Sequence, residues 1–126
     1  MIERKNPPRY LNLLLIKLPV TGVASIAHRV SGVLLFLSLP LFVWGFGLTL
    51  ESAAGFTRVL AIFDSLPFRL CLAILIWSLS QHLFSGIRHL LLDVGVGVER
   101  PQARFSAWTV NLAALGVTLL YLATVL

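Results

Sequence analysis

The chain has 126 residues and a net charge of +5, but only 12% of its residues are charged and 58% are hydrophobic, giving a mean hydropathy of +0.93. A soluble domain of this length needs many more charged groups to cover its surface, so that class is excluded. The positive charge is no nucleic-acid signal either: no basic run is interleaved with aromatics, and the basic residues sit at the ends of apolar runs. Cys71 is the single cysteine, which excludes an internal disulfide and a cysteine-based metal site; it reads as a small packing residue.

Charge is absent from Val30 to Leu50, from Leu70 to Ile87 and from Phe105 to Leu126. Crossing a bilayer core takes roughly 20 mostly apolar residues, so the chain has room for three spans and little else. The expected fold is all-α: a polytopic membrane protein with three transmembrane helices in an up-down-up bundle. It forms a single membrane-anchor domain over 1–126, with spans at about 21–50, 67–93 and 105–126.

Residues 1–20 carry Arg4, Lys5, Arg9 and Lys17, with Pro7, Pro8 and Pro19 interrupting any helix. A basic start before an apolar stretch resembles a signal peptide, but the stretch is too long and no small-residue cleavage site follows it. The segment is read as uncleaved and extended at the cytoplasmic surface. The first helix begins near Thr21 or Gly22, and Ser25, His28, Arg29 and Gly32 share one of its faces. Pro40 is a candidate kink, and Trp44 suits either the membrane interface or helix packing. Residues 51–66 form a loop whose apolar middle, Phe56 to Phe63, suits a helical turn or two along the membrane surface.

The second helix runs from Pro67 to Leu92 or Asp93, and His82, Gly86, His89 and Asp93 form one stripe on it, extended backwards by Ser78. A loop with Gly95, Gly97, Arg100, Pro101 and Arg104 precedes the third helix, which starts at Phe105 or Ser106. Lys and Arg cluster in the N-terminal segment and around the second loop, while the first loop carries only Arg58, with Arg69 just inside the next helix. The positive-inside bias then puts the N-terminus and the second loop in the cytoplasm. Both polar clusters meet at that boundary, with His82 about 16 Å deeper than Asp93 at ~1.5 Å per residue.

Ionisable side chains at membrane depth are costly and mark functional sites. Arg88 has two structural readings, snorkelling to the headgroups or capping the helix with Asp93. His82 is either a neutral histidine bonded to a neighbouring helix or a ligand to metal or haem iron, for which imidazole is a standard axial ligand. Gly86, one turn on, removes a side chain that a flat macrocycle would strike. Only His82 sits at mid-membrane depth in this reading, so a second axial ligand must come from another polypeptide. His28, Arg29 and His89 suit anionic groups at a haem edge. Ser25 and Arg29, one turn apart, suit the carbonyl headgroup of a quinone; for Ser25 the alternative is a helix cap or a small packing residue.

Ser25-Ile26-Ala27-His28-Arg29-Val30-Ser31-Gly32 resembles the S-I-x-H-R-x-S-G signature of the cytochrome b556 subunits of succinate dehydrogenase. His82-Leu83-Phe84-Ser85-Gly86-Ile87-Arg88-His89-Leu90-Leu91-Leu92-Asp93 resembles their H-x-x-x-G-x-R-H-x-x-x-D signature. Pro8 to Leu13 and Pro19 are similar to the bacterial branch, with the order of Arg9 and Pro8 inverted. The resemblance implies the larger of two membrane anchors of respiratory complex II, in the bacterial inner membrane and with no catalytic residue of its own. It implies partners as well: an iron–sulfur subunit, a flavoprotein, and a second anchor supplying the other histidine to one shared b-type haem. His82 matches the axial ligand, Ser25 and Arg29 the ubiquinone site, and His28 and Arg29 the haem propionate side. Asp93 matches the quinone-site entrance, and His89 belongs to the motif. A quinol:fumarate reductase anchor and a haem-free membrane scaffold are the rival readings.

Overall fold

The computed structural model describes residues 17–126. Most of the segment expected at the cytoplasmic surface, residues 1–16, lies outside them. Four helices follow in order: α1 Val20–Glu51, α2 Ala53–Asp64, α3 Leu66–Asp93 and α4 Arg100–Val125. Helices α1, α3 and α4 are each long and apolar enough to cross a membrane. At ~1.5 Å per residue they measure about 48, 42 and 39 Å, more than the ~30 Å of a hydrocarbon core.

Each helix boundary has a local cause. The Pro19 carbonyl accepts from the N–H groups of Gly22 and Val23 at 2.9 and 3.1 Å, which starts α1 a full turn before Ser25. Ser25 is therefore not a helix cap. Ser52 is extended and its Oγ accepts from the Gly55 N–H at 3.0 Å, capping α2. That cap makes the expected turn or two into a helix of 12 residues. Helix α3 ends in a Schellman motif: Gly95 takes φ +82°, its N–H donates to the Leu92 carbonyl at 3.0 Å, and the Val96 N–H donates to Leu91 at 2.8 Å. Helix α4 begins at Arg100, earlier than the Phe105 start expected, because Pro101 in the first turn opens a helix rather than extending the loop.

The start of α1 lies against the end of α3, where His28 meets His82, and the ends of α3 meet opposite ends of α4. The three long helices thus run up, down and up, with α3 in contact with both others. Large apolar side chains cover the outside: Phe36 is 71% exposed, and Leu41, Val43 and Leu120 are similarly exposed. The inside is small or polar, built from Ala24, Ala73, Ala107, Ala114, Ser31, Ser78, Ser85, Gln81 and Arg88. This distribution suits lipid, where helices associate through close backbone approach and interhelical hydrogen bonds. Cys71 and Trp44 are both exposed on the outer surface, so the cysteine does not pack inside the bundle.

Three polar rungs bind α3 to α4. At one end Arg69 Nη1 donates to the Val125 carbonyl at 3.0 Å, and the Tyr121 hydroxyl to the Arg69 carbonyl at 3.4 Å. At mid-length the buried Gln81 amide donates to Ser85 Oγ at 2.9 Å and to Asn111 Oδ1 at 2.8 Å. At the other end Arg88 donates from Nε to Ser106 Oγ at 3.0 Å and from Nη2 to the Ala103 carbonyl at 3.1 Å. Arg88 is 6% exposed. It therefore neither snorkels nor pairs with Asp93, because α4 offers its fork two acceptors inside the bundle. Replacing Asn111 with leucine leaves the Gln81 amide short of an acceptor, a loss of about 1 kcal/mol for a hydrogen bond between membrane helices. Thermal denaturation of the detergent-solubilised protein should show a fall of a few degrees; an unchanged midpoint would remove this rung from the account.

Candidate functional site

The polar faces of α1 and α3 meet in a seam of three imidazoles. The His28 and His82 rings stack with centroids 4.2 Å apart and an interplanar angle of 14°. His89 meets the other side of His28 edge-on, at 5.0 Å and 77°. His28 therefore lies between His82 and His89 in depth, nearer the boundary than His82, as expected, yet close enough to stack on it. Both rings are half-buried, with residues eight past the start of α1 and eleven before the end of α3 brought together.

Two glycines make room for this stack. A Cβ on Gly32 of α1 would lie 3.0 Å from Cε1 and 3.2 Å from Nδ1 of His82. A Cβ on Gly86 of α3 would lie 3.5 Å from Nε2 of His28. Each helix thus offers a gap to the imidazole of the other, and the Gly32 gap is the tighter. Gly86, expected to clear space for a macrocycle, faces His28.

The seam also fixes a tautomer. Nδ1 of His82 lies 3.1 Å from the backbone carbonyl of His28 and 3.5 Å from Oγ of Ser31. Ser31 Oγ donates its one proton to that same carbonyl at 2.8 Å. A carbonyl only accepts, so the contact with His82 requires a proton on Nδ1. In the neutral ring Nε2 then keeps its lone pair, and it bonds to no described residue.

Ser25 sits half-buried on α1 one turn before Arg29. Arg29 and Asp93 are exposed, and neither makes a side-chain hydrogen bond or ion pair among the described residues. The structure brings together His28, His82 and His89, but no polar contact draws Ser25, Arg29 or Asp93 to them. Sequence reading passed over Ser31, whose place in the first motif was the signal available. It also did not join Arg88 and His89 to Arg100 and Arg104, which line one cleft of about 600 Å³ beside Pro19 and Thr21. That cleft puts three guanidinium groups at one end of the bundle. Among the described residues no three His, Cys, Asp or Glu side chains are grouped to hold a metal ion, and stacked rings do not point their nitrogens at one centre. The donor on offer is a single oriented imidazole.

A bundle of three lipid-length helices with an imidazole seam at one end defines a polytopic helical membrane subunit. Residues 3–121 match the succinate dehydrogenase/fumarate reductase transmembrane subunit family, and the chain belongs to that family. It is 36% identical over 108 residues to the succinate dehydrogenase cytochrome b556 subunit of Coxiella burnetii, covering 83% of this chain and 86% of that protein. The subunit of the same name from Paracoccus denitrificans is 30% identical over 84% of this chain and 82% of its own length. That from Rickettsia felis is 27% identical over 90% and 88%. The resemblance carried by the two histidine motifs is borne out.

The two glycine gaps predict unequal costs. Gly32→Ala drives a methyl into the His82 ring and should destabilise by about 1–3 kcal/mol, the usual range for overpacking. Gly86→Ala adds an ordinary contact and should lie within about 0.5 kcal/mol. Comparing the unfolding midpoints of the two variants checks the seam, and equal effects would contradict it.

Proposed function

We propose that this chain is the cytochrome b556 membrane anchor of a succinate:quinone oxidoreductase, holding one side of a b-type haem and part of a ubiquinone site. The observation that carries the proposal is the His82 imidazole, held by its Nδ1–H so that Nε2 is left as a neutral donor. Metal-ligating histidines characteristically give their second nitrogen to a carbonyl in this way. Family membership and the name of the relatives, cytochrome b556, support the same group.

Haem, when bound, supplies a one-electron redox centre near the quinone site. The residues of this chain hold and orient. His82 would hold the haem iron through Nε2. The stack of His28 on His82, with rings 4.2 Å apart and nearly parallel, speaks against His28 as a second ligand, since it leaves no space for a macrocycle between them. The proposal gives the other ligand to a histidine of a second anchor. His28 and His89 lie beside His82 and would face the haem carboxylates, with Arg29, exposed next to His28 on α1, offering the permanent charge.

Ser25 and Arg29 project from one face of α1, where a hydroxyl and a guanidinium can donate to the carbonyl oxygens of ubiquinone while its tail stays in lipid. The electrons come from succinate through the flavoprotein and iron–sulfur subunits, and the quinone takes up two electrons and two protons to leave as quinol. Asp93, exposed at the end of α3, stands near the entrance. Lys17, Arg88, Arg100 and Arg104 gather at that end of the bundle, against Arg58 and Arg69 at the other. The bias supports the reading of that end and the N-terminus as cytoplasmic, in a bacterial inner membrane.

Two variants of the assembled complex test the reading. His82→Leu should abolish or shift the b-type α-band in a dithionite-reduced minus oxidised spectrum; an unchanged band would place the iron elsewhere. Arg29→Gln removes a charged donor worth about 1.5–3 kcal/mol, so succinate:ubiquinone activity should fall roughly 10- to 100-fold. Electron transfer from succinate to a soluble dye should be untouched. Equal losses in both assays would assign Arg29 to assembly instead.

A further inference from the structure

Ser31 is fully buried, and its hydroxyl reaches the one backbone carbonyl that also holds the His82 ring. A serine in a membrane helix that bonds back to the preceding turn is commonly a small packing residue and nothing more. Ser38 on the same helix supplies that ordinary case: it is 8% exposed and its Oγ donates to the Leu35 carbonyl at 2.7 Å, with no imidazole across from it. Ser31 differs in having Nδ1 of His82 beside it, at 3.5 Å from its Oγ, which is too long to be the main bond of that nitrogen. The oxygen it donates to, at 2.8 Å, accepts the Nδ1–H of His82 at 3.1 Å as well.

We propose that Ser31 is a positioning residue that sets the donor strength of His82, by sharing the His28 carbonyl with the imidazole N–H. This rests on the axial role of His82 argued above. Inside α1 the His28 carbonyl already accepts the helical N–H of Gly32; a hydroxyl bonded to it as well draws further on its partial charge and makes it a weaker acceptor for the imidazole. The Nδ1–H bond in turn governs the basicity of Nε2, because the more fully Nδ1–H is given away, the more anionic and electron-rich the ring becomes. Ser31 therefore restrains the imidazole. Without its hydroxyl the carbonyl bonds Nδ1–H more strongly, Nε2 donates more electron density, and the oxidised metal is favoured.

The seam has no ready substitute for this hydroxyl. Ser31 has no exposed surface through which water could replace it, and the Gly32 gap keeps the His82 ring within reach of the carbonyl. Alanine at position 31 removes one oxygen and leaves the packing volume nearly unchanged, so the bond is altered without moving the helix.

The test is a spectroelectrochemical titration of the haem in the purified complex for wild type, Ser31→Ala, Ser38→Ala and His82→Leu. A b-type band retained in Ser31→Ala with its midpoint potential displaced downwards, and Ser38→Ala at the wild-type potential, is the expected result. No displacement in Ser31→Ala, an upward one, or an equal one in both serine variants overturns the proposal. So does loss of the band in Ser31→Ala, because the role assigned is tuning and not retention. If His82→Leu loses its band while Ser31→Ala titrates as wild type, the axial assignment stands and Ser31 alone is overturned. If His82→Leu keeps an unaltered band, the axial assignment itself fails and takes the role of Ser31 with it.

Discussion

The contact on which the rest of the molecule depends is the reciprocal one between α1 and α3, in which each helix lodges an imidazole in the other's missing side chain. His82 occupies the space over Gly32, and His28 the space over Gly86. The His82 ring needs the Gly32 gap, the tighter of the two, and both rings need the helices in this register, since a shift of one residue turns a side chain through 100°. The stack brings the His28 carbonyl to Nδ1 of His82. A polar side chain at membrane depth would otherwise be costly; here it is satisfied on one nitrogen and left competent on the other.

The second helix pair solves a different problem. Between α3 and α4 the bonds involve Arg69, Gln81 and Arg88, spread along the length of the helix, and each reaches an acceptor on α4. Lipid tails are as apolar as leucine, so the large apolar residues on the outside supply no inward drive, and small residues with hydrogen bonds must hold the interior. The result is a rigid α3 clamped along one side by α4, presenting its histidine stripe to α1 on the other. A site that must hold one imidazole at fixed orientation benefits from that support.

Much of this was legible in the residues. Charge-free runs gave the three spans, and the spacing of His82, Gly86, His89 and Asp93 gave the polar stripe. Two motifs in the right order gave the family. What escaped was three-dimensional. The stacking of His28 on His82 depends on the register of α1 against α3, which no single helix reveals. Arg88 read as a boundary residue because nothing local reveals that Ser106 and the Ala103 carbonyl wait on α4. Those acceptors exist only because Pro101 opens α4 early and carries residues 100–106 into a helix. The partners of Ser31 were equally hidden, since a carbonyl shared between two donors on different helices leaves no trace in composition or period.

The most direct test of the central claim is a high-resolution structure of the intact complex with its partner subunits. Iron should be bonded to Nε2 of His82, with Nδ1 of the same ring facing the His28 carbonyl across the Gly32 gap. Iron on His28 or His89, or a His82 ring turned so that Nδ1 leaves that carbonyl, would contradict it.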